Sequence, residues 1–343
     1  MNRFAWVGPR TVSQAAAAAT TTVADAMKAY PDATGSVETS VVKAGGIDLL
    51  DLLKENLLAP ARVVSLTQIP GLDVIVEEEG GVRIGPMTTL AQLVDHPVLR
   101  QKYPILCDVA NGSASPQIRH VATLGGNLLQ RPRCWYFRAA EYHCLRKGGG
   151  HCFAISGENQ YHAIFDNRPC AIVHPSTAAT ALVALGATVE LTNAEGAVRR
   201  VLLEDFFVAP NVDIQRENDL KAREILTAIL LPPLPASLRM AHLKQSEKGS
   251  FDWPLADVAV VLDFDRDASC KRAAIILGAA APVPHRARTS EAALTGRRID
   301  ENVARQAGQA ALDGATPLAK NGYKLPLFEA LVRRAVLSVV ARR

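Results

Sequence analysis

The chain opens on short periodic segments. Residues 11–27 are alanine-rich at helical spacing and 40–43 form a β-branched run. Ala44-Gly45-Gly46 marks a tight turn, and 48–56 carry leucines on one helical face. A strand-rich middle follows. Residues 63–66 read as a strand, 73–78 and 82–86 as a hairpin around Gly80-Gly81, and 90–94 as a helix. Further on, a second alanine-rich helix (177–185) precedes a hairpin of 188–191 and 198–202, turning at 193–196. Glu224–Leu231 is one more strand, closed by Pro232-Pro233-Leu234-Pro235, the best linker candidate in the chain.

The residues after that linker read as a separate α+β unit. Strands at 258–264 and 271–277 pair across an Asp/Ser turn, and three helical stretches run to the end. Strands and helices do not alternate regularly and no G-x-G-x-x-G occurs, so a doubly wound dinucleotide fold is not indicated.

At 343 residues, 48% of them hydrophobic, the chain has room for two or three domains with ample core. A net charge of +4 is too small and too dispersed to imply nucleic acid. Arg333, Arg334, Arg342 and Arg343 gather at the end, but on an apolar helical repeat they read as a solvated face. Residues 1–9 do not resemble a secretory signal, and no apolar run is long enough for a membrane span. The expectation is a cytoplasmic chain, unless a partner bearing an export signal carries it folded to the periplasm.

Two glycine turns suit an anionic ligand. Lys43-Ala44-Gly45-Gly46-Ile47-Asp48-Leu49 runs from a strand into a helix start, where free N–H groups favour a diphosphate. Taken alone, these residues read more readily as a plain strand-to-helix turn with Asp48 as N-cap. Ala122-Thr123-Leu124-Gly125-Gly126-Asn127-Leu128 offers a hydroxyl, glycines and a carboxamide, or simply a turn between packed elements.

The cysteines carry the sharper signal. Four of six fall within 37 residues, spaced Cys134-x9-Cys144-x7-Cys152-x17-Cys170, while Cys107 and Cys270 stand alone. Zinc usually takes Cys-x2-4-Cys pairs, so the spacing disfavours it. Four thiolates suffice for a cubane iron–sulfur cluster held by a loose loop. A disulfide pair and a zinc site stay open as alternatives. Gly148-Gly149-Gly150 would let the loop wrap, and Arg131, Arg133, Arg138, Arg146 and Lys147 would offset a cluster's charge. His143 and His151 each precede a cysteine and read as surface groups or substitute ligands. Trp135-Tyr136-Phe137 reads as packing. Lys244 lies just past the linker, facing a ligand or solvent.

Ala44–Leu49, Ile84-Gly85-Pro86-Met87-Thr88-Thr89-Leu90, 122–127, Glu224-Ile225-Leu226 and Ala281-Pro282-Val283-Pro284-His285-Arg286-Ala287 occur in an order that resembles the FAD-binding subunit of the xanthine dehydrogenase (molybdenum hydroxylase) family. Ser176-Thr177 lies 49 residues beyond Asn127, separated by the cysteine insert. That arrangement is similar to the flavin subunits of periplasmic aldehyde oxidoreductase and 4-hydroxybenzoyl-CoA reductase.

The resemblance implies an α+β chain. A vanillyl-alcohol-oxidase-type FAD-binding domain would span 1–234, with subdomains at about 1–60 and 61–234 and the insert at about 131–170. A C-terminal α+β domain like that of carbon monoxide dehydrogenase flavoproteins would span 235–343. It implies FAD on Lys43–Leu49, Thr123, Gly126, Asn127, Ser176 and Thr177, with Leu226 near the isoalloxazine and Lys244 near its rim. It also implies a 4Fe–4S cluster on Cys134, Cys144, Cys152 and Cys170. The implied partners are a large molybdenum-cofactor subunit, a small 2Fe–2S subunit and an external electron acceptor, with an aldehyde as substrate. Two positions depart from the family: Ile47 stands for the commoner threonine and Thr177 for the usual aspartate. A stand-alone flavin oxidase and a zinc-stabilised assembly subunit are the alternatives.

Overall fold

A computed structural model describes residues 2–29, 38–249 and 251–341; Arg342 and Arg343 of the basic terminus lie outside the described residues. The chain is α+β and builds three sheets. The first is parallel, β1 (Ala5–Val7), β2 (Ser40–Lys43) and β3 (Arg62–Ser65) in the order β1-β3-β2. Parallel pairing needs crossover segments. Helices Val12–Ala18, Val23–Ala29 and Ile47–Lys54 occur in them. Leu49, Leu52, Leu53, Leu57 and Leu58 pack with Val41 and Val63 into one core.

Residues 11–27 are not one helix. Ala19 closes the first, its N–H reaching back to Ala15 and Ala16. Thr22 then accepts the Asp25 N–H and starts the second, while the Thr21 N–H donates to Ser40 of β2. Threonine hydroxyls compete for backbone groups inside helices and serve better at their starts. Asp48 is likewise not an N-cap. The helix begins at Ile47 behind Gly46, whose φ of +90° suits glycine, and no side chain caps it.

The second sheet is antiparallel, with β4 (Ile75–Glu78), β5 (Gly81–Ile84), β6 (Thr188–Asn193), β7 (Val198–Leu202) and β8 (Glu224–Leu231) in the order β4-β5-β8-β6-β7. Glu79 and Gly80 both have positive φ and join β4 to β5 in two residues, the turn that matches strand twist. Short helices Leu90–Asp95, Pro97–Lys102, Pro104–Asn111, Pro116–Arg119 and Leu124–Leu128 follow β5. The cysteine segment then runs to residue 170 with only single turns of helix.

The third sheet is antiparallel in the order β12-β11-β10-β9, from β9 (Arg239–Gln245), β10 (Ala256–Phe264), β11 (Cys270–Gly278) and β12 (His285–Arg286). Its core joins apolar residues of helices Arg288–Leu294, Glu301–Ala310 and Lys324–Ala341. Helix Thr177–Ala184 is buried from Ala178 to Ala184, because it sits in the core shared by the second and third sheets. Among the described residues no helix is long and apolar enough to cross a membrane.

Candidate functional site

A cavity of about 410 Å³ is lined by residues from all three sheets and their connections. The turn after β2 supplies Ala44, Gly45, Gly46, Ile47, Asp48 and Leu49. A Cβ at Gly45 would run into the Val121 carbonyl oxygen, so this turn and the one carrying Thr123 touch only because residue 45 is glycine. At Gly125 the same holds against Pro86, whose Cβ would be 2.7 Å away. The uncapped start of helix Ile47–Lys54 faces the cavity, and its first N–H groups favour an anion there.

The second turn plays a different part from the one its residue types suggested. The Leu124 N–H goes to Thr88, Gly125 to Pro86, Gly126 to the Thr123 hydroxyl and Asn127 to the Thr123 carbonyl. Its backbone donors are spent inside the protein. It contributes shape and the Asn127 carboxamide, whose oxygen accepts from the Ser176 hydroxyl at 2.6 Å.

Thr123, Gly126, Asn127, Thr177, Leu226 and Lys244 all line the cavity; Lys43 and Ser176 do not. The Lys43 ammonium folds back onto the Ala44 carbonyl (3.0 Å) beside Trp6, and burial lowers its pKa. Ser176 stands behind Asn127 and caps helix Thr177–Ala184. Thr177 shares a 2.9 Å hydroxyl contact with Ser113, a wall residue that sequence reasoning missed. Lys244 donates to the Gly112 (2.6 Å) and Asp252 (3.2 Å) carbonyls, and burial lowers its pKa against the pull of Asp257 and Asp252. Trp253, also missed, lines the cavity with Arg133 5.1 Å from its ring centre.

Behind Ser176, outside the cavity lining, His174 is buried against Phe207 with Nδ1 accepting the Ser176 N–H. Burial drives its pKa down to about 3, from an ordinary value of about 6.5. Between those values the unfolded chain binds a proton that the folded chain refuses. Stability therefore falls as pH drops below about 6.5, by roughly 1.4 kcal/mol per pH unit from this residue. Relative to His174→Gln, the native chain is expected to lose about 2 kcal/mol between about pH 6.5 and 5, read from urea midpoints.

The second site is built from sulfur. Cys134, Cys144, Cys152 and Cys170 form no disulfide in the insert. Cys134, Cys144, Cys152 and Cys170 line one small cavity of about 10 Å³ together with Arg146 and His162. That is about the room of one water. Among the described residues no three His, Cys, Asp or Glu side chains form a ligand set for a metal ion. Burial pushes the Cys134 thiol up to about 12 and raises Cys144. The hydrogen bond from Cys170 lowers Cys152 to about 6, and the same contact raises Cys170. Buried thiols of this kind give up their protons to a bound metal.

Charge sorts itself more sharply than composition implied. Arg146, nearly inaccessible, lies against Cys170 and Cys144 and donates to Glu217 at 2.6 Å. Its Nε and Nη2 have no hydrogen-bond partner. Glu217 also accepts from buried Arg131 at 3.0 Å, leaving two buried cations against one carboxylate beside the thiols. Arg133 and Arg138 instead pair with Asp48 and Asp51, and the Arg131 N–H donates to Asp48 at 2.9 Å. These contacts fasten the insert to helix Ile47–Lys54 and do not reach the sulfurs. The Lys147 ammonium donates to the Ala139 carbonyl at 2.6 Å. His143 and His151 are exposed; the histidine that reaches the thiols is His162. Phe137 is fully buried and packs under the Arg131 and Arg138 guanidinium groups.

Residues 2–234 match the FAD binding domain in molybdopterin dehydrogenase, and 241–339 the CO dehydrogenase flavoprotein C-terminal domain. The aldehyde oxidoreductase FAD-binding subunit PaoB of Escherichia coli (strain K12) is 33% identical over 305 residues, 87% of this chain and 89% of that one. The carbon monoxide dehydrogenase medium chain of Afipia carboxidovorans is 29% identical, covering 87% and 88%. A chain of the reconstituted CO dehydrogenase from Oligotropha carboxidovorans superposes with a TM-score of 0.74 at 26% identity, covering 100% of this chain and 99% of that one. With its glycine-walled cavity and both matched domains in sequence, the chain belongs to the FAD-binding medium subunits of the molybdopterin dehydrogenases, an oxidoreductase family.

Proposed function

We propose that this subunit carries electrons from a large molybdenum-cofactor subunit and a small 2Fe–2S subunit to an external acceptor, and that it holds a 4Fe–4S cluster besides FAD. Bound FAD would supply one- and two-electron exchange, and the cluster one-electron exchange. The protein's part is to hold and tune them.

One observation carries the cluster reading. Four thiols scattered over 37 residues line one cavity, beside a buried arginine with unpartnered donors and an excess of positive charge. Buried positive charge in excess of its counter-charge is costly, and a thiolate-ligated cluster is the anion such a site suits. Cys134, Cys144, Cys152 and Cys170 are the proposed ligands.

For FAD, the helix start at Ala44–Leu49 is the proposed diphosphate seat, with Thr123, Gly126 and Asn127 shaping it. Lys43 and Ser176 brace that seat from outside the cavity. Thr177 would serve the ribityl or adenosine side, Leu226 the isoalloxazine face and Lys244 its rim. A domain division at 234/235 places Lys244 and Trp253 on the second unit, so both units complete the cavity. Because β3 belongs to the first sheet, the proposed subdomain division falls after residue 65. The aldehyde oxidoreductase relative supports an aldehyde as substrate of the complex.

The experiment is co-purification with untagged partners, then anaerobic addition of an aldehyde. Flavin absorbance should bleach in the complex and stay unchanged in the isolated subunit. Bleaching of the isolated subunit would instead identify a self-sufficient flavin oxidase.

A further inference from the structure

The thiol cavity contains one polar side chain that the arginine network leaves aside. His162 is 4% exposed, and its Nε2 lies 3.2 Å from the Cys134 sulfur. Its Nδ1 is buried with no hydrogen-bond partner. The sulfur is thus the only hydrogen-bonding contact of the ring among the described residues. Trp135 meets the ring edge-on at 5.6 Å and Tyr136 lies 6.3 Å away, so aromatic walls hold its plane.

Its backbone is fixed from a distance. The His162 N–H donates to Asn159 at 3.0 Å, while its carbonyl accepts from Asn321 (3.0 Å) and Lys324 (3.1 Å). Lys324 is fully buried and gives further hydrogen bonds to the Tyr161 and Ala279 carbonyls. Burial lowers its pKa to about 7, although three carbonyl acceptors favour the ammonium form. Lys324 opens the C-terminal helix Lys324–Ala341. The last helix therefore locks a histidine onto the sulfur site about 160 residues earlier.

We propose that His162 donates an Nε2–H hydrogen bond to the Cys134 sulfur and raises the reduction potential of the iron–sulfur centre, as a positioning residue outside the ligand set. This rests on the four-thiol reading above. A donor on a ligand sulfur withdraws electron density and favours the reduced, more negative state. His162 is itself buried, so little solvent reaches the position it occupies.

The test is an EPR-monitored redox titration of the anaerobically purified complex, with iron and flavin content measured on each sample. Wild type is measured first. His162→Phe keeps a ring but removes the donor, and should shift the midpoint to more negative values with iron unchanged. His162→Gln restores a donor at similar reach and should recover much of the shift. His162→Leu serves if the phenylalanine variant does not fold, with bound flavin reporting folding. An unchanged midpoint with full iron overturns the inference, and so does loss of one iron with a 3Fe–4S signal, which would make His162 a ligand. A wild-type complex without iron overturns the four-thiol reading itself, a failure distinct from the other two.

Discussion

Replacing Gly45 by valine is expected to weaken flavin binding sharply. A side chain there meets backbone at once, because its Cβ would lie 2.1 Å from the Val121 carbonyl oxygen and 3.1 Å from the carbonyl carbon. Both partners are backbone, so one of the two turns must retreat. Overpacking of this kind costs up to about 3 kcal/mol, and here the strain falls on the cavity wall itself. Taken out of binding, that is a loss of affinity on the order of 100-fold. The ratio of flavin to protein absorbance in the purified variant checks it. Gly322→Ala, where an added Cβ meets nothing within 4 Å, should keep full flavin. Full occupancy in Gly45→Val would show that the contact between the turns does not shape the site.

Cys152→Ser should lose its iron while FAD stays bound. The four thiols line a cavity of their own, and none of them lines the flavin cavity. A serine hydroxyl does not replace a thiolate in the soft ligand set of an iron–sulfur cluster. The thiol most prone to ionise is the one removed, since Cys152 is lowered to about 6 by the hydrogen bond from Cys170. Iron per chain should fall to background in this variant. Cys107→Ser is the control, because that thiol donates to the Leu93 carbonyl far from the insert in the chain. Iron retained in full by Cys152→Ser would mean a different ligand set.

Much of this was legible in the sequence, and the failures have two causes. Strand Glu224–Leu231 and the hairpin β6–β7 were readable because glycine or proline closes them and β-branched residues fill them. The turn at Gly45-Gly46 was visible because only glycine tolerates its backbone. The helices Pro97–Lys102, Pro104–Asn111 and Pro116–Arg119 were not seen, since each opens on a proline that reads as a breaker but suits the first helical position.

Long-range pairing was hidden altogether. Arg133 and Arg138 reach Asp48 and Asp51 across more than 80 residues, and nothing local separates them from Arg146, which stays with the thiols. His162 was missed for the same reason. It lies eight residues from the nearest cysteine in the chain, and only the folded loop brings it to Cys134. His143 and His151 adjoin cysteines along the chain and still face solvent.

The central claim is that one chain holds a flavin and an iron–sulfur cluster on these four thiols. Anaerobic purification followed by iron, zinc and flavin analysis of the same sample tests it most directly. The account predicts one FAD and roughly four irons per chain, with broad absorption near about 400 nm. Zinc in place of iron, or flavin with no metal, would contradict it.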